Sequence, residues 1–501
     1  MNNIRETDVA IIGGGIVGTA IAHALSRYKA DICLLEKAPA VGFGLTKASQ
    51  GAIHGGISIY MSKIVKWWAG AGDMKAYLSN LEHLKDRLCD PGREKYLELE
   101  PILNAKLLKR GRLMVAETKE ELETMKLLKE LAEDRGAEEI TILDKDGLKE
   151  MEPMLDSRFI GGLYDPSEVM AMFIEWATAF TDCAKQNGAH IMLNTEVTGI
   201  EEQKGSYLIK TNKGDIRAQY VVNAAGIHSD CIADMIGRRD FSFTIWKCQM
   251  LIMENNNYIR HMVSIPSRPQ SPKLLLLTPY GNILSGHTME PSESKYDLTN
   301  TKEGIESLYS HLNYYLPEAR PSVIRSFTGI LHFNNRKPDD YLLECPKPGF
   351  VNVIVCPPAG GPAPALAQEV VKKLREQGLV LTEKSDFNPY RHKEPRFVEL
   401  SSEERRRKIN MNPEYGHVVC RCETVTEAEI RQAVRAGATT LDDVKFRTHA
   451  GMGRCQGGFC TSRVLNIMAQ ELGISPEDIT QKGGDSYILR YEAKELIGVG
   501  V

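Results

Sequence analysis

The sequence predicts an α/β chain of several domains, and three observations carry that expectation. An apolar strand runs into a glycine turn and then a helix within residues 8–27. Short strands recur between about residues 160 and 356, and a second glycine-rich turn follows them into another helix. Four of the eleven cysteines fall between residues 420 and 460. At 501 residues the chain exceeds one ordinary core, and units of ~100–200 residues suggest three domains.

The N-terminal stretch DVAIIGGGIVGTAIAHALSR carries G-x-G-x-x-G at Gly13, Gly15 and Gly18. The first glycine permits a tight turn, the second lets backbone approach a pyrophosphate, and the third lets helix and strand pack closely. The helix start then offers free N–H groups and a positive dipole to phosphate. A second strand, DICLLEK, ends in Glu36, where a carboxylate takes a ribose hydroxyl. Strand, turn, helix, second strand and acid agree on a dinucleotide. The motif does not choose between NAD and FAD, although an acid at position 36 disfavours the 2′-phosphate of NADP.

Further along, GLTKASQGAIHGG at 44–56 is a second small-residue loop, and the pattern from about 60 to 135 is mostly helical and charged. From about 158 a helical run ends near Gly188 and leads into a strand. The strands EVTGIEEQ, SYLIKT and QYVVNAAG follow, the last closing at Gly226, where backbone can approach a ligand. Residues 240–335 predict a mixed sheet; GFVNVIVC is one more strand, and PPAGGPAPALAQEVVKKL turns through glycines into a helix.

Composition narrows the function classes. The chain is 42% hydrophobic and 26% charged with a net charge of −4, which gives no electrostatic reason to expect nucleic acid. No apolar run approaches the ~20 residues that span a bilayer. The N-terminus enters a strand pattern directly, so the cytoplasm is the expected compartment. Cysteines there serve as core residues, metal ligands or redox groups more often than as disulfides. Cys33, Cys89, Cys183, Cys231, Cys248, Cys345 and Cys356 are scattered singly and are expected to be buried small hydrophobes.

The layout resembles the D-amino acid oxidase-like FAD oxidoreductases, in the branch of anaerobic-type glycerol-3-phosphate dehydrogenases and L-2-hydroxyglutarate oxidases. The resemblance rests on IIGGGIVGTAIAHAL, LLEKAPAVGFGLTKASQGAIHGG, QYVVNAAGIHSD and the C-terminal cysteine segment. It implies a Rossmann-like FAD-binding domain of glutathione reductase type, interleaved with a β-rich substrate domain, plus a small helical iron–sulfur domain. The FAD-binding parts would be 1–80, 151–235 and 346–394, with a mainly helical substrate or cap segment at 81–150. The β-rich substrate domain would be 236–345, the linker 395–416 and the [2Fe-2S]-binding domain 417–501.

By position, the resemblance gives Gly13, Gly15, Gly18 and Glu36, with neighbouring Lys37, to the ADP part of FAD. Thr46, Lys47, Ser49, Gly51 and His54 would line the pyrophosphate–flavin stretch. Val197 would meet the adenine, Ala225 and Gly226 would lie against the cofactor, and Gly360 and Gly361 would approach the flavin ring. Departures cluster at the substrate pocket. Where the family reads G-[LIV]-R-P this chain reads GILH, so Leu331 stands at the arginine position and cannot fork onto a carboxylate or phosphate. His287 replaces a proline, Met250 ends an altered CQM step, and the flavin-side turn reads PPAGGP. His54, His287 and His332 are the candidate bases, because imidazole titrates near neutrality, and Arg325 is the candidate anion holder.

The stretch PRFVELSSEERRRKINMNPEYG reads as a charged linker. Beyond it come C-x-C at Cys420 and Cys422, a gap of thirty-two residues, and C-x4-C at Cys455 and Cys460. Between the pairs, Thr426 to Glu429 is a capping box opening one helix that Gly437 ends, and Thr440 to Asp443 starts a second. TSRVLNIMAQEL is a third. Four thiolates fit tetrahedral zinc or an iron–sulfur cluster, and C-x-C with C-x4-C is the less usual zinc spacing. The segment also resembles the bacterioferritin-associated ferredoxin-like [2Fe-2S] domain, whose ligands fall on these four cysteines. FAD with a cluster implies a dehydrogenase that oxidises a small CH–OH donor, such as glycerol 3-phosphate or a 2-hydroxy acid. Electrons would leave singly to a partner protein or a second flavoprotein subunit. Two other readings stay open: an amino- or imino-acid dehydrogenase, and an electron-transfer subunit without its own substrate.

Overall fold

The computed structural model describes residues 4–60, 74–266, 274–320 and 322–490; the part of the helical expectation at 61–73 lies outside them. The chain divides into two compact units, Met1–Leu35 with Val41–Arg391, and Glu36–Ala40 with His392–Val501.

The first unit is built on two large sheets. In the eight-stranded sheet, β1 (Arg5–Ile12) lies parallel to both β2 (Ile32–Leu35) and the strand Ile216–Asn223. Strand His190–Met192 extends it beyond β2, and Phe350–Ile354 runs parallel to Ile216–Asn223. The period of two along β1 sorts its side chains between two cores. Val9 and Ile11 join α1 (Ile16–Leu25) and the helices Phe173–Gln186 and Ala363–Glu376 on one face. Ala10 and Ile12 join Cys33, Leu35, Val197 and Ile209 on the other. A strand buried on both faces reads as a continuous apolar run, as AIIGG and ICLL do.

The nine-stranded sheet is mixed and centres on Phe243–Met253, which pairs antiparallel with Val323–Asn334 along its whole length. Segment 81–150 is mainly helical and also sends two strands, Arg112–Ala116 and Thr141–Asp144, into this sheet. Helix Lys302–Tyr315 packs Leu308, Leu312 and Tyr315 against it. A small third sheet pairs Val169–Ala171 with Ala52–Ile53 and Leu107–Leu108, carrying the second glycine loop.

In the second unit, Thr426 and Glu429 form the expected capping box of helix Glu427–Arg435, and Gly437 follows it at φ +102. Thr440 caps Leu441–Thr448, and Thr461–Leu472 is the third helix. Residues 395–416 are folded: Ser401 and Glu404 box helix Ser402–Met411, while Phe397 and Tyr415 close over Ala428. Among the described residues no helix is long and apolar enough to cross a membrane.

Two of the seven scattered cysteines correct the expectation of burial. Cys231 is exposed on the short helix Ser229–Met235, whose inner face is taken by Ile232 and Ala233. Cys345 is half-buried because its strand, Leu342–Lys347, is an edge paired only with Phe350–Ile354.

A Cβ on Gly18 would stand 1.9 Å from the Gly13 carbonyl oxygen, and one on Gly13 would stand 2.4 Å from that of Ala224. Both obstacles are backbone and cannot rotate away. Gly18→Ala is therefore expected to cost ~1–3 kcal/mol or more, while Gly199→Ala, which would meet only the Lys210 stem at 3.7 Å, stays within about 0.5 kcal/mol. Thermal and urea unfolding of the two variants checks this contrast.

Candidate functional site

The first glycine turn sits where three parallel strands end together. Ile12 is level with Leu35 on one side and Asn223 on the other. The Gly13 N–H donates to the Leu35 carbonyl at 2.9 Å, and the Ala224 N–H donates to that of Ile12. This is the end of an open α/β sheet at which ligands bind. Gly13 holds φ +111 and Gly226 φ +57, and nothing lies within 4 Å of a Cβ built on Gly226. Gly15 is the N-cap of α1 and offers no side-chain cap. The open space beside Gly226 and the bare backbone at Gly15, where a Cβ would meet only Thr46 Oγ1 at 3.4 Å, give a backbone cradle of the kind a nucleotide pyrophosphate fits. Val197 is buried beside Ile12 and Leu35. Glu36 directly follows β2, and its carboxylate accepts from the Ala38 N–H at 2.7 Å; Lys37 is exposed.

The second glycine loop closes on the first. Thr46 Oγ1 accepts the Ile16 N–H at 3.0 Å, taking one of the donors that α1 leaves unpaired, and the Gly42 N–H donates to Gly14. Lys47 lies over the Phe43 ring and Ser49 is exposed. Gly51 turns at φ +89 because a Cβ there would meet the Ala171 carbonyl at 2.2 Å. Gly360 and Gly361 reach the same place from the far end of the chain. A Cβ on Gly361 would come within 3.4 Å of the His54 backbone nitrogen, and Tyr96 donates to the Gly360 carbonyl at 2.9 Å. His54, Gly51 and the Gly360–Gly361 turn are thus brought together.

Below His54 lies a buried charged network. His54 Nδ1 stands 3.5 Å from Glu168 Oε1. Glu168 is fully buried and receives a fork from Arg112, with Nε at 2.6 Å from Oε2, and it also accepts from Ser58. Burial pushes the Glu168 carboxyl up, but the Arg112 charge and hydrogen bonds, with His54 adding to them, bring it down to about 2. Asp165 accepts from the Ile57 and Ser167 N–H groups at 2.8 Å, and burial raises its carboxyl. None of Arg112, Glu168 or Asp165 stands out as a site residue in the sequence. The available signal was a lone arginine in the apolar strand RLMVA, whose buried charge needs an acid somewhere.

The long strand Val323–Asn334 separates the remaining candidates. At Gly329 it comes close to the second glycine loop, where a Cβ would meet the Ala48 oxygen at 3.1 Å and the Met250 side chain at 3.5 Å, while Ile330 on the other face packs in a cluster with Leu45 of the same loop. Leu331 and Arg325 share the Gly329 face, but they lie ~20 Å apart along the strand, and Arg325 is exposed. His332, next to Leu331, points the opposite way. It packs edge-on to Phe243 at 5.0 Å and is buried, and burial with the nearby Lys295 charge lowers it to about 4. His332 and Leu331 therefore leave opposite faces of the strand. His287 donates from Nδ1 to the Thr288 carbonyl at 3.0 Å, and burial lowers its affinity for a proton.

In the second unit the cysteines form two couples. Cys422 and Cys455 place their sulfurs 3.6 Å apart. Cys420 ends strand Val418–Cys420, Cys460 precedes helix Thr461–Leu472, and both are buried. The hydrogen bond between Cys420 and Cys460 brings the first thiol down to about 5 and pushes the second up. Glycines let backbone crowd the sulfurs: a Cβ on Gly453 would stand 2.3 Å from that of Cys422, and Gly457 turns at φ +89. The two couples supply four thiols on glycine-rich backbone, the donor type of a thiolate-ligated iron–sulfur cluster, although among the described residues no group of three or more ligands is gathered closely enough to hold a metal ion.

Residues 8–372 match the family described as FAD dependent oxidoreductase, and residues 418–470 match the BFD-like [2Fe-2S] binding domain. The chain is 34% identical to a glycerol 3-phosphate dehydrogenase of Caloramator mitchellensis, covering 98% of this chain and 99% of the relative. It is 25% identical to the anaerobic glycerol-3-phosphate dehydrogenase subunit A1 of Haloferax volcanii, covering 93% and 83%. The fold is similar to L-alpha-glycerophosphate oxidase from Mycoplasma pneumoniae with FAD bound, with TM-score 0.69 and 24% identity over 78% of this chain and 100% of that one. The chain belongs to the FAD-dependent oxidoreductase family and is an FAD enzyme with a BFD-like [2Fe-2S] domain near its C-terminal end.

Proposed function

We propose that the protein is a cytoplasmic dehydrogenase of a small CH–OH donor, glycerol 3-phosphate first, delivering electrons to a partner protein. The observation that carries this reading is the similarity to glycerol 3-phosphate dehydrogenase, which spans both units rather than the FAD part alone. The Haloferax volcanii relative is named as a subunit, which supports an electron-accepting partner subunit.

Gly13, Gly15, Gly18, Glu36 and Lys37 are the residues we assign to the ADP part of FAD, with Val197 at the adenine. Thr46, Lys47, Ser49, Gly51, Ala225 and Gly226 line its middle, and Gly360 and Gly361 lie at the ring. Cys420, Cys422, Cys455 and Cys460 hold the cluster. When bound, FAD supplies a two-electron acceptor and [2Fe-2S] a one-electron carrier. His54 takes the donor's hydroxyl proton, because it lies beside the Gly361 turn and keeps about a quarter of its side chain exposed, 24%. Met250 is buried against the glycine-loop strand and, with Leu331, gives the site an apolar wall that excludes water. His287 acts as a neutral hydrogen-bonding residue, and Arg325 lies too far along its strand to replace the missing arginine.

Adding glycerol 3-phosphate anaerobically is expected to bleach the oxidised flavin bands rapidly. Bleaching by amino acids alone, in a sample that dithionite reduces normally, would overturn the donor class. Cys422→Ser and Cys455→Ser are each expected to lose the cluster's iron and visible absorbance while flavin content stays at the level of the unmodified protein. Iron analysis beside the flavin spectrum reads both at once.

A further inference from the structure

We propose that Glu168, clamped by Arg112, is the positioning residue for His54: it sets the ring with a protonated Nδ1 facing inward and leaves Nε2 to accept the substrate proton. The inference rests on the proposed role of His54 as base. Four observations carry it. His54 Nδ1 is buried and makes no hydrogen bond among the described residues, and the Glu168 carboxylate stands 3.5 Å from it. The ring's exposure therefore belongs to its other edge. Glu168 cannot swing aside, because Arg112 grips both its oxygens and Ser58 donates to one of them. Finally, Arg112 lies on the strand Arg112–Ala116 of the nine-stranded sheet, so the clamp is anchored in a rigid element outside the glycine loop.

A carboxylate facing one imidazole nitrogen fixes the tautomer and stabilises the imidazolium formed when the other nitrogen takes a proton. In the step itself the donor's O–H bond breaks, its proton becomes the Nε2–H of His54, and the oxygen keeps the electron pair to form the carbonyl. The carbon-bound hydrogen leaves with its own pair to FAD, the family's oxidant. His54 then carries a positive charge against Glu168. Glu168 does not take that proton over, because the Arg112 charge holds its carboxyl near 2 against the upward push of burial. Among the described residues, the other charged and titratable groups around the cluster are Asp165 below Gly56, Asp90 and Arg93 against Gly55, and Tyr315 facing Arg112. Asp90 is paired with Arg135.

The test is nitrogen NMR of the flavin-loaded protein labelled with 15N-histidine, with the signals lost in His54→Gln assigned to His54. The expected result is a neutral ring protonated at Nδ1. In the double variant Arg112→Met/Glu168→Gln, which leaves no buried unpaired charge, the tautomer preference should disappear, and kcat should fall about ten- to a hundredfold with KM changed little. A ring protonated at Nε2 in the unmodified protein overturns the proposal, and so does a tautomer preference unchanged in a double variant with normal flavin content. The first of these needs no Glu168 variant, so misfolding of the double variant cannot hide it. If His54→Gln is reduced by glycerol 3-phosphate at the unmodified rate, the base assignment fails instead, and the tautomer still decides the role of Glu168.

Discussion

The buried ion pair of Arg112 and Glu168 ties the site together. It joins a strand of the nine-stranded sheet, the turn before Val169–Ala171, and the loop that carries His54 and Ser58. Two charges out of water are tolerated only with close, forked geometry, and removing one partner typically costs ~3–5 kcal/mol. Apolar residues would hold these segments together as well or better. What they could not supply is a fixed negative charge under an imidazole, so the pair reads as a device for orientation.

Around this pair the chain repeats one solution, bare backbone brought close to backbone. Gly13 meets Ala224, Gly18 meets Gly13, Gly51 meets Ala171, and Gly92 leaves room for the Gly361 carbonyl. Only the Gly13 and Gly18 contacts lie at the ends of parallel strands; Gly51 adjoins an antiparallel pair and Gly92 lies inside helix Cys89–Leu103. The second unit uses glycine in the same way beside Cys422, at Gly453. Both units thus use one physical device, the close approach that only a missing Cβ allows.

Gly51 against Ala171 and Gly92 against Gly361 join segments far apart in the chain, whereas the close approach of Gly18 to Gly13 was legible in the sequence because both belong to one strand–turn–helix motif. The helix caps at Thr426 and Thr440 were legible for the same reason. Residues 395–416 read as a linker because helix Ser402–Met411 buries no residue of its own, although its Ser401–Glu404 box was a local sign of order. His332 and Leu331 are neighbours on a strand, so alternation alone puts them on opposite faces, and the pocket could hold only one of them. Glu168 and Arg112 were not legible. They lie 56 positions apart, and nothing short of the sheet pairing brings a lone strand arginine to a turn glutamate. The exposure of Arg325 was not legible either, because it depends on where its strand leaves the core.

In the function proposed above, one chain both oxidises a donor at its flavin and passes the electrons on through its own cluster. Rapid-freeze EPR after anaerobic mixing with glycerol 3-phosphate tests this coupling. The reduced [2Fe-2S] signal is expected to rise on the timescale of flavin bleaching. A flavin that bleaches fully while the iron stays EPR-silent, in a sample whose cluster dithionite reduces, would contradict it.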